Sequence, residues 1–255
     1  MATSTASGPW SPDAATKLYV WLAGLYVTAL LMANVLGVKL FQFGVGVPSW
    51  FPIGTGEGGA KALTIKHTVG MIAFPITFLL TDLLNEYYGK RATRRVALIA
   101  FAMAGLAFGL IWIGRRVPIL EGIPGTATPE AFENIFGAAS LMYIASLVAF
   151  LLGSMLDIFL FGVFNRLTKG RMVWLRATGS TVISQIFDSF VVTFVFFVVL
   201  QRLTGGAPSD MGFVLQTAAT GYVLKFFIAI ALTPGIYAGR WAVRRFIGLR
   251  PLPPA

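Results

Sequence analysis

Asp82, Glu86, Asp157, Asp188 and Lys225 are ionisable side chains inside stretches of this chain that are otherwise apolar. Such groups are expensive within a bilayer and mark functional sites by default. Asp82, Asn85 and Glu86 follow an i, i+3, i+4 spacing and so share one helical face. Phe74 and Phe78 extend that stripe. Thr181, Ser184, Gln185 and Asp188 form a second stripe, and Ser146, Gly153, Ser154 and Asp157 a third. Gly221, Tyr222 and Lys225 form a fourth, and Asn34 adds an amide from the first apolar stretch. Carboxylates accept hydrogen bonds from a ligand's N–H donors. Lys225 or Gln185 can donate to a carbonyl, and Phe74, Phe78 or Tyr222 can stack on a flat ring. The bland alternative is a structural Asp188–Lys225 pair joining two helices. One lysine cannot neutralise three aspartates, so that pair leaves carboxylates to explain. Glu86 lies near a span end, where pairing with Arg91, Arg94 or Arg176 competes with a ligand role. His67 and Lys39 read as interfacial residues. With no cysteine and one histidine, thiolate chemistry is excluded, an imidazole metal centre is disfavoured, and no metal or cofactor is expected.

The elements that must carry these stripes are membrane helices. The chain has 255 residues, 56% hydrophobic and only 12% charged, with mean hydropathy +0.78. Soluble domains carry about 25% charged residues, so the composition is that of an integral membrane protein. Six apolar segments reach the ~20 residues a spanning helix needs, at roughly 18–43, 67–88, 93–113, 140–163, 178–200 and 212–237. The expected fold is an all-α membrane protein with six transmembrane helices in one bundle. Residues 1–16 read as a disordered cytoplasmic tail, 17–239 as the transmembrane domain, and 240–255 as a basic cytoplasmic tail. A glycine- and proline-rich loop follows the first span and a proline-rich one follows the third. Pro75 and Pro234 are expected to interrupt spans two and six.

Basic residues set the orientation. Thirteen of the 20 lysines and arginines fall on one side of the six spans and five on the other, with Lys39 and Lys225 within spans. By the positive-inside rule both termini are cytoplasmic, and the net charge of +10 reflects topology rather than nucleic-acid binding. A rise of 1.5 Å per residue puts Asp82, Asp157, Asp188 and Lys225 about 15–25 Å from their points of entry. Four charges from four helices then overlap in depth and are expected to line one central site. The pairs Gly105/Gly109 and Ala29/Ala33 have small-xxx-small spacing, which permits close helix packing.

Several of these blocks together resemble a known family, the queuosine-precursor transporters, also called the vitamin uptake transporters. The resemblance lies in Asn34 to Lys39 (NVLGVK), in FPITFLLTDLLNEYYGKR at 74–91, and in Asp157. It continues in WLRATGSTVISQIFDS at 174–189 and KFFIAIALTPGIY at 225–237, so that it covers about 200 residues. It implies a six-helix protein of the bacterial inner membrane that imports 7-cyano- or 7-aminomethyl-7-deazaguanine or a related base. It also implies a distant similarity to the substrate-binding subunits of energy-coupling-factor vitamin transporters. The expected partners are a nucleobase-like small molecule and membrane lipids, not nucleic acid; a homo-oligomer or an energising module stays open. Two other readings stand beside this one. The chain could be a vitamin-binding subunit served by a separate ATP-driven module, since it carries no GxxxxGK[ST] motif. It could also be an intramembrane aspartyl hydrolase using two of Asp82, Asp157 and Asp188. The transporter reading predicts no enzymatic activity.

Overall fold

The computed structural model of the chain describes residues 13–37, 39–48, 60–120, 128–137, 140–169, 171–203, 205–207 and 209–252. Helix α1 (Ala14–Leu36) starts where the Asp13 carboxylate accepts the Thr16 N–H at 3.1 Å and ends at Gly37, whose N–H returns to the Asn34 carbonyl. That cap draws residues 14–16, expected as tail, into the helix. The expected first span also overran the helix. Leu40–Pro48 is strand β1, paired antiparallel with β2 (Ala60–Thr68) from Leu40↔Thr68 to Pro48↔Ala60. Gly44 and Gly46, together with Val45, Val47 and Phe43, give β1 a two-residue period, which a helix cannot use. Residues 49–59 of the glycine-rich loop lie outside the described residues.

After a short 3-10 turn (Val69–Ile72), helix α2 begins at Phe74 and runs to Gly114. Pro75 therefore sits in the first turn, where its missing N–H costs nothing, and does not interrupt a span. The helix breaks at Gly89, whose φ of 75° is a left-handed conformation that glycine adopts without a Cβ penalty. Before the break α2 runs alongside α1. Gly70 lies against the Ala33 carbonyl, and the Tyr88 hydroxyl donates to the Ala15 carbonyl at 2.7 Å. After the break it runs alongside α4 (Ser140–Leu167). The Lys90 ammonium lies 5.1 Å from the Phe159 ring centre, and the Tyr143 hydroxyl donates to the Ala104 carbonyl at 2.8 Å.

A short helix α3 (Pro129–Phe136) is tied to the end of α2 by an Arg115–Glu133 ion pair. Helix α5 (Val173–Phe194) continues through a π-helical stretch (Val195–Leu200) to Leu203 and packs between α4 and α6 (Met211–Ala242). Helix α6 is capped by Asp210, carries Pro234 internally, and goes past the expected boundary at 239 into a π-turn (Val243–Ile247). Beyond it the Leu252 N–H donates to the Glu86 carbonyl at 2.9 Å.

The core is a seam of α1, α2 and α4 residues, among them Leu22, Tyr26, Leu84, Val96, Ala100 and Phe150. Large apolar side chains such as Trp21, Leu110 and Phe159 point outward and are 71%, 61% and 58% exposed. Apolar surface of that kind is what a helix presents to lipid. Five described segments are long and apolar enough to cross a membrane. The longest, Val69–Gly114, has 46 residues and contains the Gly89 break. Ala29 and Ala33 are buried in the α1 interface, whereas a Cβ on Gly105 or Gly109 would meet nothing within 4 Å. The GxxxG spacing is therefore not used for close packing among the described residues.

Candidate functional site

The polar stripes of α2, α4 and α5 line one interhelical cleft. Helix α1 contributes Tyr26, and the first part of α2 contributes Phe74, Thr77, Phe78 and Thr81. Helix α4 contributes Phe150, Gly153, Ser154 and Asp157, and α5 contributes Gln185 and Asp188. The spacing 74, 77, 78, 81 aligns the α2 residues on one face, and 150, 153, 154, 157 does the same for α4. Two aromatic pairs line the cleft: Phe74 and Phe78 have ring centres 6.0 Å apart, and Tyr26 and Phe150 are 6.2 Å apart.

Asp157 and Asp188 are both buried and differently partnered. Asp157 Oδ1 accepts from the Thr181 and Ser184 hydroxyls, each at 3.3 Å. Asp188 Oδ2 is ion-paired with the Lys225 ammonium from α6. Lys225 also lies 5.4 Å from the Phe74 ring centre, within cation–π range. It stands behind the cleft wall and holds Asp188 in place. Gly153 makes this packing possible, because a Cβ there would lie 3.3 Å from the Asp188 Cβ. Gln185 Oε1 and Ser189 Oγ are buried without a hydrogen-bond partner among the described residues. A buried polar atom left unpaired costs about 1–3 kcal/mol, so Gln185 offers the cleft an acceptor that a donor would satisfy. The arrangement is rich in acceptors, has one buried cation set behind it, and is flanked by aromatic faces.

A second, smaller cavity lies between α2, α5 and α6 and is lined in part by Asp82. Phe78 lines both cavities, and Thr181, in the wall of the second, is the residue that donates to Asp157 of the first. Phe74, Phe78, Asp157, Gln185 and Asp188 are thus brought together. Asp82 is adjacent, and Lys225 joins through Asp188.

Four expected site residues lie elsewhere. The Asn34 amide donates to the Leu30 carbonyl of its own helix at 3.0 Å. The Tyr222 ring packs 6.2 Å from Phe226 and lines neither cavity. Asn85 and Glu86 sit a turn beyond Asp82, with Glu86 at 3.4 Å from Arg240, a partner none of the expected arginines anticipated. The two amide atoms of Asn85 are buried without a partner among the described residues. Tyr26 and Phe150 were missed because an aromatic residue in an apolar run carries no sign that it borders a cleft. Thr77 and Thr81 were missed too, although the spacing of the α2 stripe could have given them.

A chain with several apolar spanning helices and a buried, acceptor-rich interhelical cleft belongs to the class of multi-pass membrane proteins that handle small molecules. The particular family is shown by comparison. Residues 68–239 match the family described as "Putative vitamin uptake transporter", and the chain belongs to that family. It is similar to the "Probable queuosine precursor transporter" of Bacillus subtilis (strain 168), with 30% identity over 69% of this chain and 72% of that protein. It is similar to the "Queuosine precursor transporter" of Escherichia coli (strain K12), with 30% identity over 69% of this chain and 73% of that protein. A third relative, the "Probable queuosine precursor transporter" of Haemophilus influenzae, is 24% identical over 85% of this chain and 83% of its own length. No solved structure matches the chain.

Proposed function

We propose that this protein imports a queuosine precursor, a 7-deazaguanine base, across the bacterial inner membrane, and that the cleft between α1, α2, α4 and α5 is where the base is held. The observation that carries this reading is the convergence of Asp157, Asp188 and Gln185 Oε1 beside Phe74 and Phe78. A deazaguanine presents N–H donors along its guanidine-like edge, and carboxylates accept from such an edge as they do from base amino groups. A flat heterocycle gains about 1–3 kcal/mol from stacking on an aromatic face. The relatives named as queuosine precursor transporters support the same substrate class and weigh against the hydrolase alternative.

The chain crosses the membrane six times in this reading, with both termini cytoplasmic. The Val69–Gly114 segment would be about 69 Å long as one straight helix, more than twice a ~30 Å hydrocarbon core. Its contacts with α1 before Gly89 and with α4 after it support a reading as two antiparallel crossings.

The deciding experiment is uptake of 7-cyano-7-deazaguanine by cells that cannot make the base, paired with binding to detergent-purified protein. Asp188→Asn and Asp157→Asn should each weaken binding about tenfold to a hundredfold, since a buried donor then faces a ligand donor. Phe78→Leu should be milder. Guanine-type bases should compete and adenine-type bases should not. Equal competition by both classes, or unaltered affinity in both Asn variants, would place the substrate elsewhere.

A further inference from the structure

The cavity around Asp82 has no part in holding the base in the cleft, yet it repeats the cleft's chemistry. It offers one carboxylate (Asp82), two hydroxyls (Thr178 and Thr181), and one aromatic side chain (Phe78), set against apolar Leu232 and Ile236. It is joined to the cleft through Phe78, which lines both, and through Thr181, whose hydroxyl donates to the cleft's Asp157 at 3.3 Å. At its wall the Thr178 and Thr233 hydroxyls bond at 2.7 Å, tying α5 to α6. Thr233 immediately precedes Pro234, which cannot donate to the Ile230 carbonyl and so loosens α6 at that level.

We propose that the two cavities are successive stations on one route, with Phe78 as the partition between them and Asp82, Thr178 and Thr181 as the ligand contacts of the second station. The inference rests on the transport reading above and adds a second site for the same class of ligand, a flat base with an N–H donor edge. The physical reason for two stations is desolvation. A base leaving Asp157 and Asp188 through purely apolar packing would expose unpaired donors to a dry interior, at several kcal/mol for the whole edge. A second carboxylate one cavity further on accepts the same donors. The Phe78 ring then bounds the base at each station and has to turn aside between them. By the orientation proposed above, the second station opens toward the cytoplasm, because Ala177 and Thr178 lie near the start of α5 and Ile236 near the end of α6.

The absence of cysteine from the sequence makes the test direct. Single cysteines at Ser154 (first station) and Thr178 (second station) are labelled with an impermeant thiol reagent in right-side-out and inside-out vesicles. With Phe78 intact, S154C should react from one side and T178C from the other. Phe78→Ala should make S154C react about tenfold faster from the side that reaches T178C, as expected if a barrier of about 1.4 kcal/mol is lost. Phe78→Trp should slow that reaction. Adding 7-cyano-7-deazaguanine should protect both cysteines. S154C labelling that is indifferent to both Phe78 substitutions would overturn the partition. Protection of S154C with none of T178C would overturn the second station. If the base protects neither cysteine while Phe78→Ala still connects the cavities, the substrate assignment fails and the route stands. Phe78→Leu serves in place of the alanine variant should that variant not insert.

Discussion

At the scale of single residues, the Asp188–Lys225 pair separates structure from function most cleanly. Both side chains are buried, at 6% and 3% exposure. Neutralising one leaves the other charge uncompensated in a dry interior, at a cost of about 3–5 kcal/mol. We therefore expect Asp188→Asn and Lys225→Met alone to lower the yield of folded protein, and the double variant to restore it. If Asp188 also contacts the base, the double variant should insert and melt like the parent yet fail to take up the base. Normal uptake by a stable double variant would leave the pair with a purely structural role. Gly153→Ala probes the same carboxylate from α4. Alanine gains up to about 1 kcal/mol in helix propensity, while its Cβ presses on Asp188 and shifts it by a few tenths of an ångström. The two effects nearly cancel in stability, but only the second touches the site. The expected outcome is an unchanged melting temperature with base affinity down about tenfold, or about 1.4 kcal/mol; unaltered affinity would show that Asp188 can give way freely.

At the scale of elements, the junction of α1 with the start of α2 depends on close backbone approach. A Cβ on Gly70 would lie 2.1 Å from the Ala33 carbonyl oxygen, and backbone cannot swing aside as a side-chain tip can. Gly70→Ala should push the 3-10 turn off α1 and cost about 1–3 kcal/mol or more, read as lower monodisperse yield and a lower melting temperature. Gly24→Ala, on the lipid-facing side of α1 with nothing within 4 Å, should be neutral or stabilising. Equivalent behaviour of the two variants would contradict this packing. The sequence could not announce Gly70, because a glycine at a helix junction looks like any loop glycine until its neighbour is known. Helix existence was legible throughout, since 20-residue apolar runs have few alternatives. Boundaries were less so: alternation in residues 40–48 was masked by hydrophobicity, and Pro75 reads as a breaker only when the helix is assumed to start before it. The stripes on α2, α4 and α5 were visible because polar residues stand out in apolar runs. What spacing alone could not give was rotation about each helix axis, which sends Tyr222 and Asn34 away from the cleft while Phe150 and Tyr26 enter it.

At the scale of the whole molecule, the first prediction is orientation. A cysteine at Arg171, between α4 and α5, should resist an impermeant reagent in intact cells and react in inside-out vesicles, following the distribution of basic residues. Ready labelling in intact cells would reverse every inside and outside assignment, including the direction of the two-station route. The ends of the described chain meet at the Gly89 break. The Tyr88 hydroxyl bonds to Ala15, the Tyr19 hydroxyl to Ala92, and the Leu252 N–H to Glu86. The break itself bears on biogenesis. A single non-helical residue separates the arm carrying Asp82, Asn85 and Glu86 from the arm rich in exposed apolar side chains such as Ile99, Leu106 and Ile113. An aspartate at mid-membrane costs about 2.5–3.5 kcal/mol during insertion, whereas each leucine or isoleucine returns about 0.3–0.6 kcal/mol. On the six-crossing reading proposed above, with no loop to part them, the arms would leave the translocon laterally as one helical hairpin, the greasier arm escorting the polar one into the lipid.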